Sequence, residues 1–212
     1  MKYPSPWMLN GQGIILSHKF KKSWIINNGF IPEHLQSQFM GGLSFTMLVN
    51  YTGSNCGPYR ELLFIPGLFL INKRCHFMIT KIYVDTAASL SSGKLNWGIP
   101  KELAEISWSE TGSTITFNVQ QEQQILFNAE VITNPIYFPI TSRLSPFKIY
   151  QEMNENSYVF KPHGNGQGAV CKLKTISSKS NHFPRLNEGK LISCLHIKKF
   201  KLDFPESKIK GL

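Results

Sequence analysis

The sequence predicts a mainly β fold, a β-rich α+β chain of many short strands with a few short helices. Three observations predict it. Apolar and polar residues alternate in many short segments, those segments are rich in β-branched and aromatic residues, and Gly, Pro, Asn or Ser bounds them. Helix signals are few. Many short strands with few helices are typical of a closed or nearly closed antiparallel β-barrel, so we expect that architecture.

Eight segments carry the strand pattern, and they are residues 43–49, 61–65, 77–84, 114–119, 125–132, 158–160, 169–176 and 191–202. Residues 110–113 are typical of a turn between two strands. Proline opens three candidate helices, at residues 32–35, 100–104 and 146–153. No linker or repeat divides the chain, so we expect one domain over residues 1–212.

The composition excludes several classes of protein. With 42% hydrophobic and 17% charged residues, the 212-residue chain is not a disordered one. Its longest apolar run, residues 62–71, is too short to span a bilayer and contains Pro66 and Gly67. The first residues lack the apolar core of a signal peptide. We therefore expect a cytoplasmic protein with no membrane partner.

The net charge of +10 is unevenly placed. Residues 1–140 carry 10 Lys and Arg against 8 Asp and Glu, whereas residues 141–212 carry 13 against 5. A basic region raises the hypothesis of nucleic-acid binding, and residues 198–201 are its densest cluster. No motif of a nucleic-acid-binding module accompanies it. We therefore expect outward-facing lysines on a strand and no nucleic-acid partner.

Cysteine, histidine and glycine patterns do not indicate a metal or a cofactor. Cys56, Cys75, Cys171 and Cys194 include no C-x-x-C pair, and no two histidines have the spacing of a helical metal site. We expect buried free thiols. The glycine-rich segments 11–13 and 164–168 lie outside any strand-to-helix unit of a nucleotide-binding fold, so we expect turns there.

The first segment that indicates chemistry is residues 55–66, which contains Glu61. Strand alternation places Tyr59 and Glu61 on one face and Arg60 on the other. Both faces are mostly apolar, so the strand is expected to be buried on both sides, where a carboxylate needs a partner or a proton. The structural interpretation is an ion pair with Arg74 or Arg143, and the functional one is an active-site carboxylate.

The second segment is residues 92–104, in which Lys101 follows Trp97, Ile99 and Pro100. If Pro100 begins a helix, Lys101 lies in its first turn, where the helix dipole disfavours an ammonium group. Apolar surroundings act in the same direction. A neutral lysine amine is a nucleophile that forms a Schiff base with a carbonyl. The simpler alternative is a surface lysine at a helix start.

The two segments together resemble the acetoacetate decarboxylase family. That family has a glycine-aromatic-x-Glu strand, matched by residues 57–61, and a loop from Gly-basic to Pro-Lys, matched by residues 93–101. Residues 6–13 are similar to the opening of divergent members, and residues 204–205 to their ending. The resemblance therefore covers nearly the whole chain, although only the two central motifs are specific.

The resemblance implies a cone-like closed sheet around a buried pocket, assembly into homo-oligomers and lyase chemistry on a small oxo acid. By position, Lys101 is the Schiff-base lysine and Glu61 the pocket carboxylate. Tyr59, Trp97 and Ile99 are then expected to bind the substrate. A protonated imine on Lys101 is an electron sink, and loss of carbon dioxide beside it leaves an enamine. No cofactor or metal is implied.

The sequence departs from the family pattern in two places. The decarboxylase proper has a second lysine after the reactive one, and here that residue is Glu102, which stabilises a charged Lys101 unless it faces away. The family's N-terminal basic pocket residue has no match, and Arg60 is a poor substitute because it faces away from Glu61. Two alternatives stay open. One is aldolase or dehydratase chemistry on the same imine, and the other is a non-catalytic β-barrel that binds a small ligand.

Overall fold

The computed structural model describes residues 3–143 and 145–212. Of these, 58% lie in strands and 13% in helices, which confirms the mainly β class. The strands are β1 (Trp7–Lys19), β2 (Phe39–Gly41), β3 (Ser44–Gly53), β4 (Tyr59–Ile65), β5 (Leu68–Ile71), β6 (Arg74–Phe77), β7 (Lys81–Val84), β8 (Lys101–Leu103), β9 (Glu105–Thr111), β10 (Thr114–Gln121), β11 (Gln124–Ile132), β12 (Phe138–Thr141), β13 (Lys148–Met153), β14 (Asn156–Phe160), β15 (His163–Val170), β16 (Lys172–Ser178), β17 (Lys190–Phe204) and β18 (Lys208–Gly211). The helices are α1 (Lys22–Asn28), α2 (Ala87–Trp97) and two 3₁₀ helices, Glu33–Gln38 and Leu186–Glu188.

The strands form three open sheets, so the expectation of a closed barrel is wrong. The largest sheet has the order β12-β15-β17-β1-β3-β4-β7-β8, the second β16-β11-β10-β9 and the third β18-β14-β13-β6-β5-β2. Within the described residues no sheet closes on itself, because β12 and β8 are edges at opposite ends of the largest one. Strand alternation indicates which residues face a core, but it carries no information on whether the first and last strands pair.

Both faces of the largest sheet are covered. One face packs on the second sheet, and Leu48 and Leu62 meet Phe117 and Phe127 in that core. The other face belongs to a separate apolar cluster that includes Val49 and Leu63. The central strand β4 is accordingly buried along nearly its whole length, as the apolar character of both its faces predicted.

Two predicted strands are in fact broken. Residues 77–84 are divided between β6 and β7, and residues 169–176 between β15 and β16. In each case the two pieces belong to different sheets, because the chain turns a corner between them. The apolar pattern continues through the corner, so the sequence does not reveal the change of sheet. The other six predicted strands lie within or largely overlap observed ones.

Of the three proline-opened helices, one is confirmed. Residues 33–38 form a 3₁₀ helix after Pro32, but residues 101–103 and 148–153 are strands β8 and β13. The longest helix, α2, was missed although both of its ends carry standard signals. Thr86 Oγ1 accepts a hydrogen bond from the Ser89 amide at 3.3 Å, and Gly98 ends the helix with φ 61°.

The two glycine-rich segments lie inside strands, so the turns expected there are wrong. Gly11 and Gly13 are in β1, and residues 164–168 are in β15. A Cβ atom at Gly11 would collide with the Asn50 carbonyl oxygen on the neighbouring strand β3. Glycine is therefore needed there for the close approach of two strands and not for a turn.

The four cysteines are free, but only Cys194 is buried, so the expectation of buried thiols holds for one of them. Cys171 Sγ lies 2.8 Å from Cys194 Sγ, a contact that their spacing in the sequence did not indicate. The hydrogen bond with Cys171, together with burial, raises the pKa of the Cys194 thiol. Cys194 is therefore a poor source of thiolate.

The Lys and Arg side chains of the last third are exposed, with the exception of the half-buried Lys161. Lys198, Lys199 and Lys201 are all exposed on β17, on a strand as predicted. Among the described residues, no helix has both the length and the apolar character to cross a membrane.

Candidate active site

A cavity of about 410 Å³ lies against the face of the largest sheet that carries Val49 and Leu63. Its described lining is mostly apolar and includes three charged residues, Glu61, Lys101 and Lys161. Glu61 and Lys101 are buried and Lys161 is half-buried, and a fully buried charge is stable only with a partner close by. The positions of these three residues therefore decide what the cavity can do.

Lys101 is the first residue of β8, which pairs in parallel with β7 through Ile82. Its side chain is buried, and Nζ donates hydrogen bonds to Glu61 Oε2 at 3.0 Å and to Ser89 Oγ at 2.9 Å. Nζ also lies 5.1 Å from the centre of the Tyr59 ring, within reach of a cation–π contact. The helix-dipole argument for Lys101 was wrong because Lys101 is in a strand, whereas the expected desolvation is observed.

Glu61 lies at the centre of β4, between Val49 of β3 and Val84 of β7. It is 4% exposed, and besides Lys101 it accepts a hydrogen bond from the Tyr51 hydroxyl at 3.3 Å on Oε1. The structural interpretation named the wrong partner, because the ion pair is formed with Lys101, forty positions away in sequence. The pair therefore joins the two segments that the sequence analysis singled out.

Two tyrosines keep their protons beside this carboxylate. Burial first, and then the Glu61 charge, raise the pKa of both Tyr51 and Tyr59 well above the ordinary value. Both phenols are consequently neutral hydrogen-bond donors across the physiological pH range. Arg60 is on the other face of β4, as predicted, where it binds Asp85 at 3.1 Å.

Helix α2 holds the Lys101 side chain in place with its smallest residues. Ser89, Ser92 and Gly93 are buried on this helix, and Ser89 binds Nζ directly. A Cβ atom at Gly93 would lie 2.7 Å from both Cδ and Cε of Lys101 and 3.2 Å from Nζ. The helix backbone thus packs directly against the lysine stem, and the glycine of the Gly-basic motif is explained by this contact.

Replacing Gly93 by alanine is expected to move the amine out of position. Alanine in a helix usually stabilises a protein by about 0.5–1 kcal/mol relative to glycine, but here the added methyl group occupies the lysine's space. We expect any reaction of the Lys101 amine with a carbonyl compound to slow about 100-fold, the cost of a displacement near 1 Å. The matched control is Ser91→Ala, exposed on the same helix, in which the amine should react at the rate of the unmodified protein. Equal rates in both variants would contradict the close packing of Gly93 against the lysine.

The three predicted substrate-binding residues, Tyr59, Trp97 and Ile99, all line the cavity together with Lys101 and Glu61. Trp97 is fixed from two sides. Its Nε1 donates to the Pro205 carbonyl oxygen at 2.6 Å, and its ring meets Phe204 edge-on at 4.7 Å. Residues 204–205 therefore support the wall of the cavity. Whether these three residues contact a substrate stays a prediction.

Three further residues of the site were missed by the sequence analysis. Tyr51 lies opposite Tyr59 on the paired strands, which requires the β3–β4 register to be known. Ser89 lies on the helix that was not recognised. Lys161 lies between β14 and β15, and nothing in its neighbouring sequence indicates that it lines the cavity.

Glu102 faces away from the site. Strand alternation points it opposite to Lys101, and its Oε1 accepts a hydrogen bond from Lys81 Nζ at 2.6 Å. Its side chain is 46% exposed. The carboxylate that stands where the decarboxylase proper has its second lysine therefore pairs elsewhere. Within residues 3–143 and 145–212, no group of three or more His, Cys, Asp or Glu side chains is arranged to hold a metal ion.

Comparison with known proteins places the chain in a family. The sequence model described as acetoacetate decarboxylase (ADC) matches residues 1–191, which is most of the chain. The chain belongs to the acetoacetate decarboxylase family. The resemblance seen in the two central motifs is thereby confirmed. No curated protein sequence matches this acetoacetate decarboxylase family member.

Solved structures share the fold of this family member at low sequence identity. Acetoacetate decarboxylase from Legionella pneumophila is 12% identical with a TM-score of 0.74, over 98% of this chain and 88% of that one. An acetoacetate decarboxylase-like enzyme from Sphingomonas wittichii is 9% identical with a TM-score of 0.69, over 100% and 95%. The enduracididine biosynthesis enzyme MppR, complexed with pyruvate, is 11% identical with a TM-score of 0.68, over 99% and 91%.

Proposed function

We propose that this protein is a Schiff-base-forming lyase that acts on a small oxo acid through Lys101. One observation carries the proposal. Lys101 and Glu61 form a hydrogen-bonded pair, each under 5% exposed, in the wall of an apolar cavity. Membership of a family of decarboxylases supports the reaction class. The pair supplies the nucleophile and the proton acceptor that the reaction needs.

The first step forms the imine. Glu61 Oε2, 3.0 Å from Nζ, takes a proton from the Lys101 ammonium group, and the neutral amine attacks the substrate carbonyl carbon. Glu61 returns this proton to the carbonyl oxygen, which gives a carbinolamine. Glu61 then carries a second proton from the nitrogen to the hydroxyl group, and one water molecule leaves. The product is a protonated imine between Nζ and the former carbonyl carbon. The neutral Tyr51 and Tyr59 hydroxyl groups are the remaining donors for the oxygen as it leaves.

The second step breaks a carbon–carbon bond. In a 3-oxo acid the bond to the carboxylate is placed so that its electron pair moves into the imine, which releases carbon dioxide and leaves an enamine. The apolar lining favours this step because a carboxylate becomes a neutral gas. A proton then adds to the enamine carbon. Water hydrolyses the new imine, which releases the ketone and restores the Lys101 amine.

The alternative is aldolase or dehydratase chemistry on the same imine. A 2-oxo acid such as pyruvate places its carboxylate on the imine carbon itself, so the electron sink does not assist loss of carbon dioxide and promotes proton loss from the neighbouring carbon. The solved structure of the neighbour MppR is a complex with pyruvate, a 2-oxo acid, and this supports the alternative. Glu102 was the feature of the sequence that favoured the non-catalytic binding hypothesis, and that residue pairs with Lys81 instead of Lys101.

The test compares two oxo acids. We expect acetoacetate to release carbon dioxide faster than it does without protein if the decarboxylase proposal holds, and pyruvate to exchange its methyl protons with deuterated water if the aldolase alternative holds. In either case, borohydride should inactivate the protein only in the presence of the oxo acid. The proposal would be contradicted if no oxo acid gave carbon dioxide release, proton exchange or inactivation by borohydride.

Lys161 is proposed to attract the substrate carboxylate. It is the second cation lining the cavity, and it forms no ion pair with any of the described residues. We expect Lys161→Met to raise KM about tenfold, the loss of one charge-assisted hydrogen bond, and to leave kcat within about twofold. Lys148→Met, at an exposed lysine of β13, is the control. An unchanged KM in the Lys161 variant would contradict the proposal that Lys161 attracts the substrate carboxylate.

The remaining expectations stay proposals. We propose that residues 1–212 act as one domain, that the protein is a cytoplasmic homo-oligomer, and that it works without a cofactor or metal and without nucleic-acid or membrane partners. The low charge around the two central motifs supports a small-molecule substrate over a polyanion. The apolar residues exposed on β17 and β18, Leu191, Ile192 and Ile209, are compatible with contacts between subunits.

A further inference from the structure

The cavity is much larger than the short oxo acids of the proposed reaction. A water molecule occupies about 30 Å³ in the liquid, so about 410 Å³ has room for roughly fourteen of them. A three- or four-carbon oxo acid therefore fills only the end of the cavity next to Lys101. The rest of the volume suits an apolar group better than water, because apolar groups line it and water gains few hydrogen bonds there.

The lining extends far from the amine along one row of the sheet. Cross-strand neighbours run from Lys101 through Ile82, Leu63, Met47 and Ile15 to Leu195, all of them cavity residues. Neighbouring strands lie about 4.8 Å apart, so these five steps follow roughly 24 Å of wall. Every member of the row after Lys101 is apolar. The row therefore offers an extended surface for a hydrocarbon group whose polar end is held at Lys101.

A second cavity continues in the same direction. It measures about 260 Å³ and shares Met47, Val49 and Tyr51 with the first, but neither Lys101 nor Glu61 lines it. Its lining adds the apolar residues Ile140, Ile197 and Phe200, together with the polar residues Thr141 and Asn165. Three of its lining residues are the glycines Gly13, Gly164 and Gly166, which place no side chains in the space. The apolar region thus continues away from the charged pair.

We infer that the substrate is an oxo acid with a long or bulky apolar substituent, which lies along the row from Ile82 to Leu195 while the carbonyl group meets Lys101. This inference rests on the proposed function and adds the substrate class. Each methylene group transferred from water into the cavity is expected to increase kcat/KM by about fourfold while free wall remains. The preferred substrates are therefore medium-chain or aryl-substituted oxo acids, and short ones are poor substrates.

The test is a homologous series of 3-oxo acids, from acetoacetate through 3-oxohexanoate and 3-oxooctanoate to 3-oxodecanoate, with kcat/KM measured from carbon dioxide release. We expect kcat/KM to rise by more than about 100-fold along the series and to level off once the cavity is full. In Met47→Trp, the larger side chain fills the middle of the row. The ratio of kcat/KM for 3-oxodecanoate to kcat/KM for acetoacetate should therefore fall at least tenfold in this variant. Met40→Trp, at an exposed methionine of β2, should keep the ratio.

The outcomes separate this inference from the proposed function. If acetoacetate reacts and longer acids are no better, the inference is wrong and the Schiff-base proposal stands. If no member of the series reacts, calorimetric binding of unreactive saturated acids decides the inference independently. Octanoate and decanoate binding at least tenfold tighter than butanoate, with a loss of that preference in Met47→Trp, supports the apolar subsite. Equal affinities would overturn it.

Discussion

Lys101→Arg is expected to abolish turnover in a protein that remains folded. Arginine keeps the positive charge beside Glu61, so the buried pair survives, but a guanidinium group is always protonated and forms no Schiff base. The added size extends into the cavity that Lys101 lines. Removal of a covalent nucleophile costs roughly three orders of magnitude or more in kcat. Steady-state carbon dioxide release, together with circular dichroism of the folded variant, measures both parts of this expectation.

The control is the neighbouring residue. Glu102→Gln removes the exposed ion pair with Lys81, and such pairs contribute up to about 1 kcal/mol. Because Glu102 faces away from Lys101, we expect turnover within about twofold of the unmodified protein. Retention of more than about a tenth of the turnover in Lys101→Arg would contradict the role given to Lys101.

The second large effect concerns stability, since Glu61 and Lys101 are buried together. Glu61→Gln leaves the ammonium group without its carboxylate. Lys101→Met leaves the carboxylate with Tyr51 as its one hydrogen-bond donor among residues 3–143 and 145–212. Each change alone is expected to lower the free energy of unfolding by about 3–5 kcal/mol, the cost of breaking a buried pair. The double variant removes both charges, so its loss should be smaller than the sum by about 2 kcal/mol or more. Urea unfolding of the four proteins measures this coupling.

The opposite face of the same strand provides a matched pair. Arg60 and Asp85 form an ion pair at 3.1 Å, but the Arg60 side chain is 40% exposed. The same cycle with Arg60→Met and Asp85→Asn should give a coupling below about 1 kcal/mol because solvent screens the charges. Additive losses at Glu61 and Lys101, with no coupling, would mean that the two groups do not interact as the structure places them.

The sequence predicted the placement of residues along β4 better than the way the sheets are arranged around it. Alternation along residues 59–65 was sufficient to place Glu61 on one apolar face and Arg60 on the other, because the strand is short and regular. The resemblance to the acetoacetate decarboxylase family, and not the pattern of the residues, connected Glu61 with Lys101. The reason given for the reactivity of Lys101 was nevertheless wrong, because Pro100 precedes a strand and not a helix.

Other features depend on pairings that no local pattern contains. Tyr51 and Lys161 enter the site through sheet register and a connection between strands, so they have no local signal. The glycines of β1 and β15 were interpreted as turn residues because turns and closely approaching strands both favour glycine. Closure of the sheet was expected from the number of strands, but it depends on the pairing of β12 and β8, which are separate edges.

The most direct test of the central claim locates the covalent bond. The protein is incubated with acetoacetate, pyruvate or a longer oxo acid and reduced with borohydride, and the modified peptide is then sequenced by mass spectrometry. We expect one stable adduct, on Lys101 alone, that is absent without the oxo acid and absent from Lys101→Arg. An adduct on Lys161 or on surface lysines but not on Lys101, or no adduct with any oxo acid, would contradict Lys101 as the Schiff-base residue.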